Sequence, residues 1–327
     1  MKVVITMSGG KDSQATAIWA KEKYGPENCV TVFCDVGWEA PETYIHIDYL
    51  VDKLQIKHFT LKSSKYDGMI DLAIKKKRFP STTARFCTQE LKVKPVIDWI
   101  LEQNESLLFI DGIRADESAN RASKLPDCRY FKYYFEPYKS NEITIAKFEQ
   151  KPPITHKQKT ELQKAVKRLS EGKNDEKFFT YRKKEVLKWC STYDDSLIRP
   201  FFYSTGNHVI NFSLSRGYAI NPRYFKGYSR VGCDPCIMEK LPELKIAVND
   251  PNSKTIEKVR KAEIEANSSF FPPDKVPKRY HSKVAPNGKT YPTIDDIVRY
   301  IDELGATGDM FVDEPLFKCK SVYNICE

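Results

Sequence analysis

Six consecutive residues near the N-terminus have the types needed to hold an anion: Ser8, Gly9, Gly10, Lys11, Asp12 and Ser13. Adjacent glycines let backbone N–H groups approach a phosphate with no Cβ in the way. Lys11 adds a point charge, and Ser8 and Ser13 add hydroxyls. The spacing is not that of a Walker A loop, which has four residues between its glycines and Lys-Ser/Thr after the second. Further along, Gly112 is followed by Arg114, Glu117 and Arg121, and two planar guanidinium forks suit phosphate or sulfate capture. Sulfur chemistry is the second theme. Cys233-Asp234-Pro235-Cys236 puts two thiols on one turn, within reach of one metal or of each other. Cys87 stands among Arg85, Lys92 and Lys94 beside a helix start, where an electropositive setting favours thiolate over thiol.

The elements that must position these groups are legible. Residues 2–7 form a short apolar run that reads as a buried strand, and residues 14–24 have helical spacing that stops before Gly25-Pro26. A strand, a Gly-Gly turn and a helix N-terminus together aim backbone N–H groups and a positive dipole end at one anion. Strands at residues 29–35, 56–61 and 106–111 alternate with helices ending near Leu54, over 66–77 and over 96–103. That alternation predicts an α/β fold with a doubly wound, mostly parallel, Rossmann-like sheet, followed by a helical and irregular C-terminal part. Asp35, at the carboxyl end of the second strand, is expected where a ribose or adenine lies. Cys29 and Cys34 read as core, and Cys128 and Cys190 have no partner pattern. Residues 123–195 read as a peripheral insertion, with a strand pair expected over the aromatic stretch 130–138 and a helix over 160–169.

These motifs together resemble the PP-loop ATP pyrophosphatases, or adenine nucleotide α-hydrolases, and within them the phosphoadenosine phosphosulfate (PAPS) reductase branch. The carrying pieces are Ser8–Ser13, Arg85-Phe86-Cys87 with Lys92-Val93-Lys94-Pro95, Gly112-Ile113-Arg114 with Glu117-Ser118 and Arg121, Arg199-Pro200, Asn221-Pro222-Arg223-Tyr224, and Arg230-Val231-Gly232-Cys233 with Cys236. The resemblance implies that Arg114 and Arg121 contact nucleotide phosphates, that Glu117 orients an arginine, and that Arg230 joins the nucleotide site. Lys11 and Asp12 are the implied catalytic residues of the loop. It also makes Cys87 a ligand beside Cys233 and Cys236. Cys319 is the preferred fourth ligand and Cys326 its substitute, for a [4Fe–4S] cluster, with zinc or a metal-free redox dithiol as alternatives. This chain has one cysteine at Cys87, where cluster-bearing reductases tend to have two, and lacks the reductases' Glu-Cys-Gly-x-His tail.

Two chemistries follow from the resemblance. In one, ATP with Mg²⁺ adenylates a target oxygen and sulfur then displaces AMP. In the other, a cysteine thiolate, here Cys326, attacks the sulfate of PAPS or adenylyl sulfate and a thioredoxin-like reductant completes sulfite release. Sulfur transfer is preferred, and a non-catalytic nucleotide or nucleic-acid binding module is the third reading. Partners are therefore an adenine nucleotide, a sulfur donor or reductant, and a nucleic acid (tRNA or DNA) held by residues 151–188. That segment has twelve Lys/Arg against five Asp/Glu within a chain of net charge +9, and Phe178, Phe179, Tyr181 and Trp189 interleave its cations as candidate stacking platforms. The expected organisation is a nucleotide-binding core over 1–122, the basic insertion over 123–196, and a second half with the Cys-x-x-Cys over 197–327. No apolar run approaches a membrane span and no signal peptide precedes the first strand, so a cytoplasmic protein is expected.

Overall fold

The computed structural model describes residues 1–285 and 288–306. Six strands form one sheet: β1 (Lys2–Met7), β2 (Cys29–Cys34), β3 (Lys57–Leu61), β4 (Leu107–Ile110), β5 (Asp127–Arg129) and β6 (Ser196–Ile198), in the order β3-β2-β1-β4-β6-β5. All neighbours are parallel except β5, which runs antiparallel to β6 at the edge. The helices are α1 (Lys11–Tyr24), α2 (Pro41–Leu54), α3 (Met69–Lys76), α4 (Phe86–Thr88), α5 (Lys94–Leu101), α6 (Ala119–Ala122), α7 (Lys132–Phe135), α8 (Asn141–Gln150), α9 (His156–Ser170), α10 (Lys183–Cys190), α11 (Gly206–Leu214), α12 (Leu241–Asn249), α13 (Thr255–Glu265) and α14 (Ile294–Ala306). A small antiparallel pair, β7 (Lys283–Val284) and β8 (Thr290–Tyr291), precedes α14.

The strands form because their apolar residues have two faces to fill. Val3, Ile5 and Met7 of β1 pack with Ile18, Ile47, Leu50 and Leu54 of α1 and α2. Val4 points the other way, into a cluster with Val30, Val32, Ile97, Ile100, Phe109 and Trp189. Alternation along a strand produces this split, and helices on both sides satisfy it. From β1 the chain steps to β2 and β3 on one side, then crosses to β4 on the other. The switch point between β1 and β4 is where ligands bind in open sheets of this type. A third cluster, built on Trp38, Phe270, Phe271, Leu244, Val259 and Ile297, joins α3 to the C-terminal helices α12, α13 and α14.

Two local expectations are corrected. The stretch 130–138 is not a strand pair: β5 ends at Arg129, and α7 follows. Phe131 and Tyr134 are both buried against the same face of the sheet, and an i, i+3 pair shares a face on a helix but not on a strand. The helix expected from residue 96 begins earlier, because α4 runs through a π-turn over Gln89–Val93 into α5. Among the described residues no helix is long and apolar enough to cross a membrane.

Candidate nucleotide and thiol site

The loop between β1 and α1 sits at the switch point. Gly9 adopts φ +71°, and a Cβ there would meet Thr43 Cγ2 at 2.9 Å. Gly112, at the end of β4, leaves the same kind of space: a Cβ would meet the backbone of Asp12 and Ser13 at 2.8 and 2.9 Å. Glycine at both positions lets α1 begin directly against the strand ends. Gly10 caps α1 without a side-chain hydrogen bond; Lys11 N is taken by Tyr224 OH, which leaves the amides of Asp12 and Ser13 without an intrahelical partner. Ser13 Oγ donates to Gly10 O at 3.0 Å and accepts from Ser8 N at 3.1 Å, which ties the loop into a closed turn.

A cavity of about 410 Å³ opens at this point. Ser8, Gly10, Lys11, Asp12 and Ser13 form its floor, and Asp111, Gly112, Glu117 and Arg121 form one wall. Phe33, Cys34, Lys92, Val93 and Val96 form an apolar wall with one cation, and Tyr224, Arg230 and Val231 close the rim. Lys11 is buried with Nζ 3.2 Å from Asp12 and 5.2 Å from the centre of the Tyr224 ring. Burial alone would push its ammonium down, but Tyr224 and Asp12 raise it above its ordinary value. It therefore stays a cation. Arg121 pairs with Glu117, as expected for a carboxylate that orients an arginine. Burial lowers the Arg121 pKa, and the nearby Arg230 lowers it further. Arg230 is exposed on the cavity rim and makes no ion pair among the described residues. Two guanidinium groups that repel across a cavity are an anion-binding arrangement.

Other expected site residues lie elsewhere. Arg114 is 2% exposed. Its guanidinium pairs with Asp12 and Asp116 and donates to Ser204 O at 3.1 Å, so it buttresses the loop from behind. Asp35 is outside the cavity lining. Its carboxylate accepts from Gly37 N at 2.8 Å and Tyr44 OH at 2.7 Å, and lies 3.2 Å from Lys62. Burial alone would raise its pKa, but these partners hold it below the usual carboxylate range.

The thiols lie beside the cavity-lining residues Gly232 and Lys92. Cys87, Cys233 and Cys236 all pack on the aromatic cluster around Trp38 and Phe270. Burial and then Glu39 raise the Cys233 thiol, with smaller upward effects from Cys236 and Cys87; burial also raises Cys87. Lys92 reaches Glu39 Oε1 at 3.3 Å and faces Cys233 and Cys34. Lys258 donates to the carbonyls of Trp38 and Asp234 at 3.3 and 3.1 Å, and Lys275 donates to Glu239 O; these two face Cys233 and Cys236 respectively. The thiolate expected at Cys87 is not favoured: burial outweighs the nearby Lys92 there, and the thiols of Cys87 and Cys233 are both raised. Among the described residues no three His, Cys, Asp or Glu side chains already have metal-holding spacing. Cys319 and Cys326 lie outside the described residues.

Sequence reasoning missed four groups and misread one. Cys34 is not simply core, because it ends β2 on the cavity wall and donates to Lys92 O at 3.5 Å. Burial pushes its thiol up to about 11. Asp111, held by Arg199 at 3.3 Å, also lines the cavity. Tyr224 OH accepts from Lys11 N at 3.1 Å, and Asn221 Nδ2 donates to Gly9 O at 3.1 Å. The Asn-Pro-x-Tyr pattern was the available signal for that clasp, but nothing in it names a partner over two hundred residues away. Lys92 was seen only as local charge. Three of the four expected stacking aromatics are occupied: Trp189 is buried and donates to Gln103 O at 2.7 Å, Phe179 packs on Tyr134, and Tyr181 OH donates to Asp98 at 2.9 Å; Phe178 is half-buried with Lys183 Nζ 5.1 Å from its ring centre.

Residues 2–129 match the family described as the phosphoadenosine phosphosulfate reductase domain. An uncharacterized 37.8 kDa protein of Escherichia phage 186 is 28% identical over 86% of this chain and 82% of its own length. An uncharacterized protein of Methanocaldococcus jannaschii is 25% identical over 74% of this chain, a match that spans 37% of the archaeal protein. Among solved structures, the PAPS reductase from Candida auris in its phosphate complex aligns at a TM-score of 0.42 and 13% identity, over 71% of this chain and 81% of that one. The U34-tRNA thiolase NcsA from Methanococcus maripaludis, with its [4Fe-4S] cluster, aligns at 0.39 and 15%, over 93% and 72%.

Proposed function

Residues 2–129 belong to the phosphoadenosine phosphosulfate reductase domain family, and from that premise we propose that the protein is an ATP-dependent sulfur-transfer enzyme. The observation that carries the reading is one cavity with an anion-binding loop on its floor and three cysteines beside its lining residues. The α1 amides and Lys11 hold the nucleotide phosphates, with Mg²⁺ as counter-ion, and Arg121 and Arg230 close over them. Arg114 keeps Asp12 and the loop in place. An acceptor oxygen attacks the α-phosphorus, forming an O–P bond as the bond to the β-phosphate oxygen breaks. Pyrophosphate leaves with the electron pair. Sulfur then takes the place of AMP on the acceptor. Cys87, Cys233 and Cys236 would hold an iron–sulfur cluster, or zinc in its place, with Cys319 or Cys326 as fourth ligand; such a cluster supplies a docking point for sulfur. The acceptor is read as a nucleic acid and the donor as a sulfide-level carrier, whose sulfur displaces AMP with no change of oxidation state.

A second reading, thiol-dependent reduction of PAPS or adenylyl sulfate to sulfite, is favoured by the description of the matched family itself. One experiment separates the two. Protein purified without oxygen is analysed for iron, sulfide and zinc, then incubated with ATP and Mg²⁺ or with PAPS and thioredoxin. Sulfur transfer yields AMP and pyrophosphate, and Cys233→Ser empties the metal site. Sulfite formed without ATP and lost in Cys326→Ser would overturn the preferred reading.

A further inference from the structure

Residues 138–177 stand apart from the core as a helical hairpin. Tyr138 and Lys139 meet Lys177 at its base, through backbone hydrogen bonds of 2.9 and 2.7 Å. α8 and α9 pack against each other, and the N-cap of each is satisfied by its own side chain, Ser140 or Thr155. The apolar side of α9 is partly used: Ala165 is buried, Leu162 and Leu169 are half-buried, and Val166 is 48% exposed. What the hairpin presents outward is charge. Lys147, Lys151, Lys157, Lys159, Lys164 and Lys167 are all exposed, and none forms an ion pair among the described residues. Of the nearby acids, Glu161 is engaged with Lys139 at 3.1 Å and Glu142 with Asn174 at 2.9 Å, while Glu149 is exposed among the lysines, which outnumber it. On α9, Lys157 and Lys164 are seven residues apart and so share a face, with Lys167 one turn further on. At the tip, Pro152-Pro153 stiffens the turn and Ile154 is 79% exposed.

We infer that this hairpin, rather than the mostly packed aromatics of 178–189, is a nucleic-acid docking surface, with the α8 and α9 lysines on phosphates and Ile154 against an unstacked base. The inference deepens the nucleic-acid acceptor reading above and rests on it only for the acceptor's role. Charge complementarity selects the occupant: six unpaired ammonium groups on a narrow hairpin match a chain of phosphates. A membrane surface is a poorer match, because its anionic headgroups need a broad apolar face to follow them, and α9 exposes only Val166 beside the half-buried Leu162 and Leu169. An exposed apolar side chain on a stiff tip suits insertion against a base step.

The test is fluorescence anisotropy with labelled mixed-sequence single-stranded RNA and DNA across a salt series, using the full chain. Phosphate contacts release counter-ions, so six contacts predict a log–log salt slope of about 4 to 5 in magnitude. The Lys157→Gln, Lys164→Gln, Lys167→Gln triple variant should lower that slope by about 2 to 3. Ile154→Ser should weaken binding by at least about threefold with the slope unchanged, since an apolar contact releases no counter-ion. Unchanged ATP affinity and thermal midpoint in each variant show that the fold is intact, because these side chains are exposed. An unaltered slope in the triple variant, or tighter binding to phosphatidylserine vesicles than to either nucleic acid, overturns the inference. Unaltered affinity in Ile154→Ser overturns the tip contact. If the hairpin behaves as expected but no AMP appears from ATP, the sulfur-transfer reading fails and the docking surface stands.

Discussion

Replacing Arg114 by methionine separates a residue that touches the nucleotide from one that holds the loop. The guanidinium is 2% exposed and pairs with Asp12 and Asp116. Methionine keeps most of the volume and removes the charge. Breaking a buried pair by deleting one partner costs about 3–5 kcal/mol, because the other charge is left desolvated. Two features pull the value to the low end. Asp12 keeps Lys11 at 3.2 Å, and Asp116 has a side chain 35% exposed, so water can reach it. A loss of about 3 kcal/mol, a factor of about 150 in the folded-to-unfolded ratio, is the expected result. Urea unfolding at constant m-value measures it. Nucleotide affinity, followed by calorimetry, should fall only as far as the loop loosens, and Arg114→Lys should restore stability partly, since it keeps the charge but loses the fork. Unchanged stability together with a loss of ATP affinity beyond about tenfold would refute the reasoning, because that pattern belongs to a direct phosphate ligand.

Lys11→Ala should weaken ATP binding by more than about tenfold, since a hydrogen bond to a charged group contributes about 1.5–3 kcal/mol. The raised Lys11 pKa keeps the ammonium charged below its ordinary value of 10.5, so wild-type affinity should stay flat from about pH 6 to 9 as far as this group is concerned. His46 is buried with Nε2 2.9 Å from Gln14 Oε1, and burial pushes its pKa from 6.5 down to about 4. The unfolded chain therefore takes up a proton that the folded one refuses between those values. Stability present above pH 6.5 is lost as pH falls towards 4, by about 2–3 kcal/mol, and His46→Gln should remove that part of the slope in urea unfolding.

The same contrast between local and distant causes decides what could be read in advance. β1, the Gly-Gly turn and α1 are specified within a few dozen residues by an apolar run, two glycines and a helical period, and they were legible. So was the parallel α/β arrangement, because strands filled on both faces demand helices between them. The pairing of Glu117 with Arg121, found within one turn, had been implied only by the family resemblance. Arg114 was legible as a charge beside phosphates but not as a buried one. Its burial depends on where Asp12, over a hundred residues away, is carried by α1. Cys34 and Lys92 illustrate the same limit, since Cys34 meets Lys92, 58 residues away, and Lys92 meets Glu39 and Cys233, partners that neither an apolar nor a basic stretch names. The aromatics of 178–189 were read from composition, which records how much surface they offer and not which of them, before or on α10, meet the core. The sequence alone determined the loop, the strands and the residue types of a phosphate and thiol chemistry, because local conformational preference and hydrophobic period suffice for those. Tertiary structure alone decided which of these charges face the cavity, which brace it from behind, and which lysines remain unpaired on the hairpin. Those outcomes turn on desolvation and pairing between segments far apart in the chain.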